Sequence, residues 1–211
     1  RASARRAARV TTVSEYVRRD VLSRLRTDPA RVVAIPNGGD RPNPRPVQPR
    51  AADRPYVLYV GGHEPRKNVH LVLCAMSAYW RRHAPDLGIR LTGSPASFPI
   101  DAASALDSLP HPQLVHFLGH PTDAELHTEY VHATALLMLS RAEGFGLPVL
   151  EAMVRGCPVV AAPLASLPEV GGDAACYVEP NDVDAVADAI HQLRTDSAVR
   201  AARVHAGHEQ A

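Results

Sequence analysis

The chain has 211 residues, 45% of them hydrophobic and 21% charged, which are the proportions of a folded domain and not of a disordered segment. Twenty-three basic residues against twenty-two acidic ones give a formal charge of +1 with both signs scattered, and this excludes the basic footprint of a nucleic-acid binder. The longest apolar stretches, such as 57–60 and 135–139, are far below the roughly 18–20 residues that span a bilayer, and the arginine-rich N-terminus lacks the apolar core of a signal peptide.

The first elements read as strand, helix, strand. Val10–Val13 is a short apolar run, Ser14 is a helix cap, and Glu15–Arg26 carries Tyr16, Val17, Val21, Leu22 and Leu25 at helical spacing. Arg31–Ile35 is the second strand, closed by Pro36-Asn37-Gly38-Gly39. A unit of about 40 residues buries too little to fold alone, so residues 1–40 are expected to be the end of a larger domain. Residues 41–55 hold five prolines, Pro42, Pro44, Pro46, Pro49 and Pro55, and read as an extended linker.

From residue 56 to 211 strands and helices alternate. Strands are expected at Tyr56–Val60, Gly88–Thr92, Leu114–Leu118, Ala135–Leu139, Pro158–Ala161 and Ala175–Val178. Helices are expected over Val69–Arg82 and Ala102–Ser108, behind a Thr122/Glu125 capping box to about Ala133, from Pro148, and from the Asn181-Asp182 cap to about Thr195. Continuous apolar strands alternating with helices predict an α/β fold with a parallel sheet covered on both faces. Ligands of such sheets bind at the carboxyl ends of the strands. Cys74, Cys157 and Cys176 lie in apolar segments with no close pair, and are expected to be reduced and buried, as in a cytoplasmic protein.

Two loops carry chemistry. Val60–Asn68 reads VGGHEPRKN between a strand and a helix. Gly61 and Gly62 let a ligand approach the backbone, and Arg66 and Lys67 stand near a helix N-terminus that itself favours anions. A diphosphate cradle and a solvated basic turn both fit this segment. Lys67 is the only lysine among twenty-three basic residues, through chance or through chemical need. The spacing of a GxGxxG dinucleotide fingerprint is absent, which counts against an NAD enzyme. The second loop, Ser140–Met153, reads SRAEGFGLPVLEAM. Gly144 and Gly146 expose amides, Pro148 suits a first helical turn, and Glu143, expected to project from the loop at the sheet's C-terminal edge, lies eight positions before Glu151. Amides donate to oxyanions and carboxylates accept from hydroxyls, so the segment suits a ligand with both.

The two loops in this order resemble those of the family 4 (group 1) retaining glycosyltransferases of the GT-B fold. Glu143–Ala152 matches the family's Glu-x7-Glu motif, EGFGLPxLEA, and Val60–Asn68 matches its VGxxxPRKN loop. Gly93, the Phe117-Leu118-Gly119 strand end, Pro158-Val159-Val160 and the segment 168–175 fall where the family has them. The resemblance implies a Rossmann-like donor-binding domain over 56–211 and the tail of an acceptor-binding domain before it. It implies a nucleoside-diphosphate sugar as donor substrate, no tightly bound cofactor and no metal. Gly61 and Gly62 would lie against the diphosphate, with Arg66 and Lys67 neutralising it as it departs. Glu143 would face the transferred sugar. The amides of Gly144, Phe145, Gly146 and Leu147 would contact sugar and phosphate, Glu151 would bond the ribose, and Gly93 and the Gly119-His120 turn would border the nucleobase.

Gly62 stands where many members carry an arginine, so Arg66 and Lys67 are left to supply the phosphate charge. The family's N-terminal histidine has no counterpart, and the chain stops before the helix that usually crosses back to the first domain. The expected partners are therefore the donor and, through the missing domain, a glycan, lipid or small-molecule acceptor, with membrane-surface contact open and no nucleic acid. The chain by itself is expected to bind donor without transferring sugar. A non-catalytic nucleotide-sugar sensor and another GT-B enzyme, such as an epimerase or a phosphorylase, are the alternatives. A pyridoxal phosphorylase is disfavoured, because its Schiff-base lysine would have to be Lys67.

Overall fold

The computed structural model describes residues 6–25, 27–39 and 54–211. Within 54–211, the strands β3 (Tyr56–Tyr59), β4 (Gly88–Thr92), β5 (Val115–Gly119), β6 (Ala135–Met138), β7 (Val159–Ala161) and β8 (Cys176–Tyr177) form one sheet in the order β5-β4-β3-β6-β7-β8. Every pairing is parallel. The central strands β3 and β6 are buried at every residue, which is why they read as unbroken apolar runs.

The side-chain period of two sorts these strands onto two cores. Val57, Tyr59, Ala135 and Leu137 face one layer, with Leu73, Met76 and Trp80 of α2 (Val69–Arg82) and Ile190 of α7 (Val183–Thr195). Tyr56, Leu58, Leu136 and Met138 face the other. That layer includes Tyr130 of α4 (Asp123–His132), Val149 and Met153 of α5 (Leu147–Val154) and Leu167 and Val170 of α6 (Leu167–Gly171). The short α3 (Ile100–Asp107) adds Ala102 and Ala105 to the first layer.

The chain runs outward from β3 through β4 to β5, then returns to place β6 against the other side of β3. The order therefore reverses between β3 and β6, and the loops leaving their carboxyl ends are Val60–Asn68 and Leu139–Gly146. A crevice at such a reversal is the preferred ligand site of an open α/β sheet.

Upstream, β1 (Val10–Thr12) and β2 (Val32–Ala34) pair in parallel around α1 (Glu15–Leu25). Ser14 caps α1, its Oγ accepting from the Val17 amide at 3.1 Å. This unit leans on the larger sheet's loops. Ser14 Oγ donates to the Gly144 carbonyl at 2.7 Å, and the Glu169 carboxylate accepts from the Glu15 and Tyr16 amides at 2.7 Å each. A carboxylate at a helix N-terminus satisfies donors that the helix cannot. The expected linker lies outside the described residues except for Arg54 and Pro55. Both are tied to the larger unit, by Arg54 Nη1 to the Pro85 carbonyl at 2.8 Å and by the Gly88 amide to the Pro55 carbonyl at 2.8 Å.

Three expectations need correction. α6 is a helix where none was predicted, because five residues are too few for a periodic signal. α8 (Ser197–Gln210) was also missed: its one buried residue is Gly207, against Met153. Arginines hold α8 instead, Arg200 donating to the Thr134 and Ala133 carbonyls and Arg203 to that of Asp173. The three thiols are free as expected, but Cys157 alone is buried and Cys74 and Cys176 are half-buried.

Replacing Glu169 with alanine leaves two α1 amides without their acceptor, a loss of about 1 kcal/mol. The expected result is roughly fivefold faster hydrogen exchange of the α1 amides, with exchange in β3 and β6 unchanged; equal acceleration in both would contradict a local role.

Candidate functional site

The loop after β3 is fixed from below. Thr92 Oγ1, at the end of β4, donates to the Gly61 carbonyl and accepts from the Gly61 amide, both at 3.0 Å. Tyr59 Oη donates to the Gly62 carbonyl at 2.6 Å. Burial, then the carboxylates of Glu64 and Glu143, push the Tyr59 phenol far above its ordinary value, so it stays a donor. The loop ends in a short helical turn at Pro65–Lys67, and Asn68, in the left-handed conformation at φ 60°, opens α2.

The loop after β6 meets it. Asn68 Nδ2 donates to the Leu139 carbonyl at 3.0 Å, and the Arg141 amide donates to the Arg66 carbonyl at 2.8 Å. The side chains then close the junction. Lys67 Nζ donates to Glu143 Oε1 at 2.7 Å, and Arg66 Nη1 lies 3.3 Å from Glu143 Oε2. Lys67 and Glu143 are 9% and 8% exposed, whereas the Arg66 side chain is 47% exposed. Glu143 was expected to project from the sheet's edge. It is instead buried and paired, because a carboxylate leaving water needs a cation at contact distance. Glu64 Oε1 lies 3.7 Å from Arg66 Nη2 as well, so the cluster pairs two cations with two carboxylates, of which Glu64 is the exposed one.

Beyond Glu143 the backbone leaves a run of amides without acceptors among the described residues. Gly146 has φ 101°, and a Cβ there would sit 2.9 Å from Leu167 Cδ2, so both conformation and space require glycine. Ser166 Oγ lies 3.0 Å from the Glu143 carbonyl and 2.8 Å from that of Phe145. These bonds and the Ser14 bond occupy the loop's carbonyls. The amides of Gly144, Phe145, Gly146 and Leu147 donate to no acceptor among the described residues. Four such donors at the start of α5, beside Arg66 and Lys67, suit an anion.

Two hollows flank the junction. One, of about 890 Å³, is bordered by Gly61, Gly62, Gly93 and His120 together with Thr92 and Phe98. His63, which the sequence did not single out, is buried in its wall. Its Nδ1 is 2.6 Å from Ser97 Oγ, its Nε2 is 2.8 Å from the Thr92 carbonyl, and its ring meets Phe98 edge-on at 4.5 Å. A Cβ at Gly93 would strike His63 Cε1 at 2.6 Å, and Gly93 has φ 86°. His120 is exposed at the rim. The second hollow, of about 300 Å³, is bordered by Glu151, Leu147, Leu150, Arg155 and Gly39. Leu126 of α4 borders both. The structure thus brings Arg66, Lys67 and Glu143 into direct contact, lines up Gly144–Leu147 beside them, and sets Gly61, Gly62, Gly93 and His120 on one hollow and Glu151 on the other. Among the described residues no cluster of three or more His, Cys, Asp or Glu is placed to hold a metal ion, and no helix is long and apolar enough to cross a membrane.

Sequence reasoning missed Tyr59, Thr92, Ser166 and Glu169. Each acts through a backbone contact made from outside the motif it supports, which spacing within the motif does not report. Asn68 lies inside the PRKN segment and was legible only as part of it.

Residues 40–210 match the family described as glycosyl transferases group 1, and the chain belongs to it. It is 31% identical over 198 residues to O-antigen chain mannosyltransferase B of Escherichia coli, covering 89% of this chain and 52% of that protein. It is also 31% identical over 189 residues to glycogen synthase of Mycobacterium tuberculosis, covering 86% and 44%. The chain spans about half the length of these relatives. Among solved structures, Alr3699/HepE of Anabaena in complex with UDP-glucose superposes at a TM-score of 0.82 with 21% identity, over 98% of this chain and 59% of that one. Sucrose-phosphate synthase of Thermosynechococcus elongatus superposes at 0.77 with 25% identity, over 98% and 54%. The fold is the Rossmann-like half of a GT-B glycosyltransferase.

Lys67→Met strands Glu143 with only the half-exposed Arg66, an expected loss of about 2–3 kcal/mol in urea unfolding. Adding Glu143→Gln to Lys67→Met should recover most of that loss, since the unpaired charge goes with it. Additive losses would show that the two side chains are not coupled.

Proposed function

We propose that residues 56–211 are the donor-binding domain of a nucleotide-sugar glycosyltransferase, and that residues 1–40 are the end of its acceptor-binding domain. The observation that carries this reading is the junction of the two loops: a lysine and an arginine beside four unpartnered amides, at the point where the strand order reverses. A nucleoside diphosphate carries the anion such a place suits, and the UDP-glucose complex of a structure with this fold supports that ligand class.

In this reading the diphosphate rests on Gly61, Gly62 and the amides of Gly144, Phe145, Gly146 and Leu147. Arg66 and Lys67 stabilise the charge that develops as the sugar leaves, a preorganised electrostatic contribution of the kind that dominates many enzymes. Glu143 accepts from hydroxyls of the transferred hexose. Its hold on Lys67 keeps that ammonium at the junction before donor arrives, so little reorganisation accompanies binding. Glu151 accepts from the ribose, and Gly93 and the Gly119-His120 turn border the base. Glu143 is held by Lys67 and Arg66 and Glu64 pairs with Arg66, so neither carboxylate is set as a covalent nucleophile, which favours retention by attack on the face the diphosphate leaves. Arg66 and Lys67 supply the positive charge in this scheme, with no metal. The acceptor, a glycan, lipid or small molecule, would enter from the domain that precedes this one, so this chain alone binds donor and transfers little or no sugar. The three free thiols suit a reducing, cytoplasmic setting.

Calorimetric titration with UDP, GDP and ADP tests the reading. At least one should bind, and Arg66→Ala with Lys67→Ala should weaken the diphosphate by about tenfold or more while leaving the free nucleoside nearly unaffected. A folded chain that binds none of them, or equal losses for nucleotide and nucleoside, would contradict it.

A further inference from the structure

Tyr130 lies on α4 with 0% exposure, yet its hydroxyl is not committed to the backbone. It donates to Glu151 Oε2 at 2.8 Å. A fully buried phenol needs a partner, and here the partner is a half-buried carboxylate bordering the smaller hollow. Arg155 braces both groups. Its guanidinium stacks over the Tyr130 ring at 5.4 Å, its Nη1 donates to the Glu151 carbonyl at 2.9 Å, and its Nε donates to His127 Nδ1 at 3.1 Å. Burial, reinforced by the Glu151 charge, pushes the phenol well above its ordinary value, so Tyr130 remains a donor at every physiological pH. Burial and Arg155 push His127 down, which keeps its Nδ1 an acceptor for Arg155.

The carboxylate is thus used on one side only. Glu151 Oε2 is taken by Tyr130, and Oε1 has no partner among the described residues. We propose that Tyr130 is a positioning residue for Glu151: by holding Oε2 it fixes the carboxylate plane and leaves Oε1 to accept from the vicinal hydroxyls of a ribonucleotide. The inference rests on the reading of Glu151 as the ribose acceptor and adds what orients it. A glutamate one turn into a helix otherwise samples several rotamers. The charge-assisted bond from a rigid, buried phenol removes that freedom before ligand arrives. Tyr130 itself does not touch the ligand, since it is wholly enclosed by α4, α5 and the sheet.

The test compares UDP, GDP and ADP with their 2′,3′-dideoxy counterparts on the intact chain. At least one ribonucleotide should bind about tenfold or more tighter than its dideoxy form, as expected for hydroxyls bonded to a charged acceptor. Glu151→Gln should abolish that preference. Tyr130→Phe should reduce it to a third or less while leaving the dideoxy affinity unchanged, because only the orientation of the acceptor has been lost. A preference that survives Glu151→Gln removes the ribose reading and this proposal with it. A preference lost in Glu151→Gln but intact in Tyr130→Phe overturns the proposal alone, as do equal losses for both nucleotide forms in Tyr130→Phe, which would report a packing role. Should Tyr130→Phe not fold, the wild-type chain with ring-labelled tyrosine decides. The Tyr130 Cζ resonance should move on saturation with the ribonucleotide and not with the dideoxy form, and identical spectra in both would overturn the proposal.

Discussion

The contact between Lys67 and Glu143 is the constraint on which the rest of the site depends. It joins two loops that are far apart in sequence and that leave neighbouring strands at the point where the sheet's order reverses. Neither side chain has a reason to be buried without the other. The pair is therefore evidence about the backbone: the loops after β3 and β6 must approach until an ammonium and a carboxylate touch, and Asn68, Arg141 and Thr92 fix them there through main-chain bonds. The loop amides at the start of α5 and the exposed Arg66 guanidinium then face the same region.

This arrangement reconciles two demands. A site for a leaving diphosphate needs positive charge, and a buried cation in an empty site needs compensation. Glu143 compensates Lys67 while Arg66 stays half in water beside the exposed Glu64, so the junction is electrostatically settled and its outer cation remains accessible. On the far side of α5, the Glu151 carboxylate is held by Tyr130, so both carboxylates of the Glu-x7-Glu motif are anchored by neighbours from other elements. The motif's spacing sets them on a loop and on the helix that follows it; their orientation comes from elsewhere in the fold.

How much of this was legible in the sequence follows the range of the interactions. The central strands were readable because residues such as Val57–Tyr59 and Ala135–Leu137 are buried on both faces and so unbroken in hydrophobicity. The Thr122/Glu125 box announced α4 because capping is a contact three residues long. Glu143, Glu151, Lys67 and the glycines were found from their place in two loops. Thr92, His63, Tyr130 and Ser166 were not, since each acts across tens of residues, and Tyr59 was not, since inside an apolar strand it looks like an ordinary core residue. α8 was invisible for a related reason: arginine-to-carbonyl bonds hold it, and they leave no apolar stripe. Glu143 was placed correctly in the chain but given the wrong environment, because its partner is 76 positions away.

The most direct measurement is amide chemical-shift mapping of the isotope-labelled chain on addition of a nucleoside diphosphate. Perturbations centred on Gly61, Gly62 and residues 144–147, with the opposite ends of β3 and β6 silent, are what a diphosphate seated at the loop junction predicts. A nucleotide that binds but leaves those amides unmoved, shifting residues at the other edge of the sheet, would contradict it.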